Sequence, residues 1–203
     1  MLDQLSKQIS EISWVQWVSF LTGLLYVYYA AKDDVRCWIW GILSSALWSY
    51  SSWFELKLKS DTLLQLVYVI LGFVGWYYWT KKKQIKTVTV SRIKPMELFW
   101  FAATGLVITL FLGTYMKSHG AAYPFLDAGL FAFSVEATLL LVQEKLENWI
   151  AWMIINSISI PIFFLRGGYL FSILFIIYLI LAIKGWIGWN RILSTNANKK
   201  VIS

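Results

Sequence analysis

Residues 62–79, TLLQLVYVILGFVGWYYW, and residues 172–189, SILFIIYLILAIKGWIGW, read as one helix written twice. Slid by 110 positions, Tyr68 falls on Tyr178, Gly75 on Gly185, Trp76 on Trp186 and Trp79 on Trp189. Each run is apolar over a length that matches a hydrocarbon core about 30 Å thick, which needs roughly 20 helical residues. The repeat extends outward from this pair. With a shift of 111, Trp38 falls on Trp149, Ser45 on Asn156 and Phe20 on Phe131, so three helices recur in order.

Seven stretches are long and apolar enough to span a bilayer: 14–31, 37–54, 62–79, 96–114, 123–142, 148–165 and 169–189. Short polar linkers such as Lys32–Arg36 and Glu55–Asp61 force neighbouring helices to run antiparallel. A three-helix unit copied directly emerges inverted, because three crossings change sides, and the additional helix 96–114 restores the parity. The expected fold is therefore an all-α integral membrane protein of seven transmembrane helices, a 3+1+3 arrangement of parallel repeats of the SWEET-like kind, with a substrate site near midplane. One membrane domain, 1–203, divides into a first repeat 14–79, a linker helix 96–114 and a second repeat 123–189.

Composition excludes other classes. The chain is 59% hydrophobic and 14% charged over 203 residues, so water is not its solvent. Its 13 tryptophans fall largely near the ends of apolar runs, where amphipathic rings meet headgroups. The net charge of +7 is carried by loops rather than by a basic face, which argues against nucleic acid. About thirteen of the 18 Lys and Arg lie on one side if the N-terminus is outside and the C-terminus cytoplasmic. Cys37 is the only cysteine, which removes any intramolecular disulfide and any multi-cysteine metal site. No Ser/His/Asp set, metal spacing or phosphate loop is visible, so an enzyme is not expected, and neither is a cofactor. Met1–Ser13 is polar and reads as a surface segment without a signal-peptide pattern.

Candidate site residues follow from helix faces. Gln65, Tyr68, Gly72, Trp76 and Trp79 recur at spacings of three and four. Trp149, Trp152, Asn156 and Ser159 repeat the pattern two crossings from the end. Two aromatic planes and an amide on one side suit a flat, polar ring, and packing is the alternative for Trp149 near its helix start. Glu136 is an acid deep in an apolar span, costing on the order of 2.5–3.5 kcal/mol on insertion scales, so it must face protein or water. A substrate contact is the favoured role, with an ion pair to Lys184 as the alternative. Asp127, His119 and Lys117 fit solvated positions.

Glu147-Asn148-Trp149-x-x-Trp152-x-x-x-Asn156 followed by Ile158-Ser159, preceded by Asp127, Ser134 and Lys145, resembles the PnuC-type vitamin transporters of bacteria, as do Leu63-Leu64-Gln65 and Gly75-Trp76-Tyr77-x-Trp79. The resemblance spans almost the whole chain. It implies a bacterial inner membrane location, homotrimers, and facilitated diffusion of an unphosphorylated vitamin that a cytoplasmic kinase then traps. Carried over by position, Trp149, Trp152, Asn156 and Gln65 would line the substrate cavity, and Glu136, Tyr68, Trp76 and Tyr178 join them from the helix-face argument. Two departures bear on the substrate. Nicotinamide riboside members commonly carry Asn where this chain has Gly72 and an apolar residue where it has Glu136. The amide lost at Gly72 removes a group suited to ribose hydroxyls, and the carboxylate gained at Glu136 suits an aminopyrimidine or a cationic ring. The sequence therefore favours thiamine, as in the PnuT branch, over nicotinamide riboside. A scaffold or sensor that moves no solute is the reading of a different class, and a proton carried by Glu136 would make the transporter a symporter.

Overall fold

The computed structural model describes residues 2–56, 59–84 and 90–202, and every long element among them is a helix. In chain order these are α1 (Leu2–Glu11), α2 (Trp14–Ala31), α3 (Arg36–Phe54), α4 (Lys59–Gln84), α5 (Pro95–Ser118), α6 (Pro124–Val142), α7 (Asn148–Leu165) and α8 (Tyr169–Ile202). The seven predicted spans correspond to α2 through α8, with α4, α5 and α8 longer than expected. The middle of the basic linker predicted at 81–94 lies outside the described residues. The polar leader forms a helix of its own. Gln8 on α1 donates to the Gly167 carbonyl and accepts from the Leu170 amide, which ties α1 to the turn between α7 and α8.

Five helices, α4 to α8, are long and apolar enough to cross a membrane. α2 and α3 have 18 and 19 residues and are rich in Trp, Tyr and Ser, which lower mean hydropathy without preventing burial in a bundle. Large apolar side chains cover the exterior, as at Phe111 and Leu165, which are 78% and 84% exposed. In water such a surface would aggregate, whereas lipid solvates it.

Packing follows the repeat. α3 lies against α2 and α4, and α7 lies against α6 and α8. The two sets meet reciprocally: α2 packs on α8, and α4 packs on α6. Helix ends repeat in detail. After α2 the Asp33 amide reaches the Ala30 carbonyl and the Asp34 amide the Tyr29 carbonyl, both at 3.0 Å. After α6 the Glu144 amide reaches the Leu141 carbonyl and the Lys145 amide the Leu140 carbonyl, both at 2.9 Å. Asp33 and Glu144 adopt φ of 54° and 56°, a left-handed conformation that is unfavourable for a residue with a Cβ and here closes each helix in the same way.

Inside this frame lie four tryptophans. Trp38 stacks edge-on against Trp79 at 5.4 Å and 88°, and Trp149 against Trp189 at 5.5 Å and 89°. Trp79 and Trp189 then meet at 6.0 Å. Glycine is required behind each outer ring, since a Cβ at Gly75 would stand 2.4 Å from the Trp38 ring and one at Gly185 would stand 2.6 Å from the Trp149 ring. The indole of Trp79 donates to the Val142 carbonyl at 3.1 Å, and that of Trp189 donates to the Ala30 carbonyl at 3.0 Å. Each third helix thus caps the first helix of the opposite set.

Replacing Trp79 or Trp189 by Phe keeps a ring but leaves a buried carbonyl without its indole donor, and we expect each change to cost about 1 kcal/mol in thermal melting of detergent-solubilised protein. The larger loss is expected for Trp79→Phe, because the Ala30 carbonyl keeps the Asp33 amide when Trp189 is replaced; a neutral Trp79→Phe would show that the capping bond contributes nothing.

Candidate functional site

The tryptophan quartet closes one end of the bundle, and a charged layer lies on it. Lys82 at the end of α4 pairs with Glu144, and Lys83 donates to the Asp33 carbonyl. The Glu144 carboxylate is fully buried, whereas Lys82 keeps 36% of its side-chain exposure. Burial raises the Glu144 acid above the usual carboxylate range, with Lys82 pulling in the opposite direction. The segment after the basic linker lies across the same loop: the Ser91 amide donates to the Glu144 carbonyl at 3.0 Å and the Leu146 amide to the Ser91 carbonyl at 2.9 Å. The Ile93 amide reaches Glu147 at 2.8 Å, and Lys145 reaches Glu97 at 2.8 Å.

The opposite end is held by neutral and acidic groups. The Trp48 indole donates to Asp61 at 2.8 Å, with Ser52 on the same carboxylate oxygen. Gln16 donates to Ser51 at 2.8 Å and Ser51 to Glu55 at 2.6 Å. Above them Phe20, Trp48 and Phe171 gather with centroids 5.2 to 6.2 Å apart, joining α2, α3 and α8.

Between these ends lies a polar layer of phenols, hydroxyls and an amide. Tyr26, Tyr68 and Tyr178 stand close enough to interact electrostatically. Tyr68 lies near Ser134, and a Cβ at Gly23 would stand 2.7 Å from the Tyr178 hydroxyl. Gly23 and Ser134 are themselves 111 positions apart, so the tyrosines of the two sets occupy equivalent places. Ser19 and Ser44 exchange hydrogen bonds at 2.9 Å. On α7, Asn156 is 2% exposed, and among the described residues its amide meets no hydrogen-bond partner.

The sequence-predicted residues separate into groups. Gln65 and Tyr68 lie half-buried on α4, Asn156 is buried on α7, and Tyr178 is half-buried on α8. Trp149 belongs to the quartet, 2% exposed, its ring filling the space over Gly185 and its indole nitrogen buried without a partner. Trp152 is half-buried and packs on the cluster that holds Trp149. Trp76 departs from expectation: it is 44% exposed on the outer surface. Its spacing with Trp79 is three, and that angular step is enough to take one ring to the exterior while the other enters the core.

Glu136 also departs. It is buried, at 6% exposure, yet it meets Thr104 and packs over Gly105 and Phe133, at the boundary with α5. The expectation that it projects toward α4 and α7 is corrected, and Lys184 is exposed and makes no ion pair with it. The polar stripe of α6 is real but divided, Ser134 facing Tyr68 and Glu136 facing α5. Sequence reasoning missed the Glu144–Lys82 pair and Asp61 with Trp48. A left-handed Glu144 has no sequence marker, and Trp48 lies 13 positions from its acceptor.

A bundle with a lipid-solvated surface, two interlocked three-helix sets and an uncommitted polar layer between them is the architecture of a polytopic membrane transporter. Residues 13–191 match the family described as Nicotinamide mononucleotide transporter, and the chain belongs to that family, the family of PnuC. It is 27% identical to the Nicotinamide riboside transporter PnuC of Escherichia coli (strain K12), covering 89% of this chain and 88% of that protein. The PnuC of Neisseria mucosa is 26% identical over 92% of this chain and 76% of its own length. The Riboflavin/roseoflavin transporter RibM of Streptomyces davaonensis is 24% identical over 88% and 85%. Among solved structures, that of the Vitamin B3 transporter PnuC superposes with a TM-score of 0.75, 24% identity, and coverage of 95% of this chain and 87% of that one. The relatives are transporters, and the chain is a membrane transporter rather than an enzyme.

The buried Glu144 gives a pH dependence with a defined sign. Because its folded-state acid strength is weakened, the native state holds the proton more tightly than the unfolded chain, and stability falls as pH rises from the ordinary carboxylate range through the raised value. Melting temperature measured between weakly acidic and neutral pH should decline across that window in the wild type and flatten in Glu144→Gln.

Proposed function

We propose that the chain takes up an unphosphorylated, flat-ringed vitamin across a bacterial inner membrane by facilitated diffusion, with nicotinamide riboside as the first substrate to test. The observation that carries this reading is the polar layer between the two three-helix sets: Tyr68 and Tyr178 at equivalent positions, with the uncommitted Asn156 amide on α7. α2–α4 and α6–α8 then act as parallel repeats of a seven-span, 3+1+3, SWEET-like transporter, with α5 as the linker helix. N-terminus outside and C-terminus cytoplasmic puts the Lys82–Glu144 layer on the inner face, in keeping with the excess of basic residues there. In this arrangement the tryptophan quartet is the closed inner gate, and access alternates when the indole caps of Trp79 and Trp189 release.

Site roles follow from placement. Asn156 supplies hydrogen bonds to ring or ribose substituents, Gln65 and the tyrosines complete the polar wall, and Trp152 offers an aromatic face. Trp149 supports Trp152 from within the quartet. The curated relatives named for nicotinamide riboside favour that substrate. Thiamine is the second reading, favoured by Gly72: its Cβ position is already filled by Ile42, at 2.5 Å, so the amide common among nicotinamide riboside carriers has no room there. Glu136, turned toward α5, no longer contributes to the thiamine argument. A homotrimer, implied by the family resemblance, is part of the same proposal.

Titration calorimetry of purified protein with nicotinamide riboside and with thiamine tests class and substrate together. We expect one of the two to bind and Asn156→Ala to weaken it at least tenfold, about 1.4 kcal/mol, while Trp76→Ala leaves binding unchanged. Binding of neither vitamin, with no flux into liposomes, would point instead to a membrane protein that moves no solute of this class.

A further inference from the structure

α5 packs on α6 and on no other helix among the described residues, and the polar contact between them is a single carboxyl. Glu136 Oε1 is within hydrogen-bonding distance of Thr104 Oγ1. Thr104 has one hydroxyl proton, and the same oxygen stands 2.6 Å from the Trp100 carbonyl one turn earlier on α5. Two short oxygen–oxygen contacts on one hydroxyl need two protons, since an acceptor facing an acceptor repels. The threonine donates to Trp100, as threonines in helices do. The second proton must come from Glu136.

The surroundings agree. Glu136 Oε2 is buried with no hydrogen-bond partner, over Gly105, where a Cβ would stand 2.8 Å from it. The charged groups on every helix packed here are distant. On α5, Glu97 and Lys117 lie seven and thirteen residues from Thr104, about 10 and 20 Å along the axis at 1.5 Å per residue. On α6, Asp127 is nine residues away, roughly 13 Å, and pairs with Arg166. α7 contains no ionisable side chain between Asn148 and Leu165. On α4, Asp61 and Lys81–Lys83 sit at the helix ends, and Tyr68 faces Ser134. No cation in this set reaches Oε2, so a carboxylate there would be an uncompensated charge in a low-dielectric interior.

We infer that Glu136 is a resident proton-binding site: it stays a neutral carboxylic acid and donates to Thr104, which donates to Trp100, a relay that fastens the linker helix to the second repeat. The residue is a positioning residue. It neither touches the vitamin nor exchanges its proton during transport, because release would require α5 to separate from α6. The inference does not depend on which vitamin is carried.

Infrared spectroscopy of the purified protein in lipid at neutral pH tests it directly. The difference between wild type and Glu136→Gln should contain the carbonyl stretch of a protonated carboxylic acid, shifted downward in D2O. Thr104→Val, which removes the acceptor, should move that band to higher frequency without abolishing it, and this arm stands even if Glu136→Gln folds poorly. A carboxylate stretch in place of the acid band would overturn the inference. Glu136→Gln, whose amide can also donate to Thr104, should keep vitamin binding within about twofold of wild type, whereas Glu136→Ala lowers the melting temperature. A pH gradient that drives vitamin accumulation in wild-type liposomes but not in Glu136→Gln would overturn the proposal too, by showing that the proton is exchanged. Loss of vitamin binding in the wild type itself, with the acid band present, would fault the functional reading and leave this one intact.

Discussion

Two indole-to-carbonyl hydrogen bonds hold the halves of this protein against each other, Trp79 to Val142 and Trp189 to Ala30. Lipid offers no hydrophobic drive for one apolar helix to choose another, so specificity has to come from close packing and from polar groups that find partners. The indoles supply both. Their rings fill the centre in edge-to-face contact, and their N–H groups reach backbone carbonyls in the last turns of α6 and α2. Gly75 and Gly185 make the arrangement possible by leaving room for Trp38 and Trp149. The left-handed loops at Asp33 and Glu144 present those carbonyls at matching angles.

Because the caps are reciprocal, neither repeat is complete alone. The Val142 carbonyl of the second half takes its donor from the first, and the Ala30 carbonyl, already bonded to the Asp33 amide, takes a second donor from Trp189. The polar layer of tyrosines and Asn156 is then created by assembly rather than by either half, which explains why it lies between the sets and not within one. The charged layer of Lys82, Lys83, Asp33 and Glu144 breaks the symmetry, since the positions equivalent to the two lysines are Ile192 and Leu193. Only one half contributes the basic side chains that close over the tryptophans.

Most of the architecture was legible in the chain. Hydropathy located the long helices, five of which are long and apolar enough among the described residues to cross a membrane, and the recurrence of residue types is visible because the close packing at Gly75, Trp79 and their counterparts restricts which side chains fit. What periodicity could not supply was azimuth. A spacing of three or four says that residues share a face without saying which neighbour the face meets, so Trp76, expected at the cavity, is exposed, and Glu136, expected there too, meets α5. Those two misplacements share a cause. Glu136 gives thiamine no support from this position, because its carboxyl belongs to the α5 boundary. Trp149 illustrates the converse: its place near a helix start allows packing or binding, and it packs.

α5 has a further property by virtue of touching, among the described residues, α6 alone. The rest of its circumference, including Phe111, Val107 and Leu110, is exposed. A helix exposed in this way tilts with the thickness and lateral pressure of its bilayer, while α2–α4, which do not pack on it among the described residues, are largely spared. Mechanical load from the membrane therefore enters the molecule asymmetrically, through one helix and into α6.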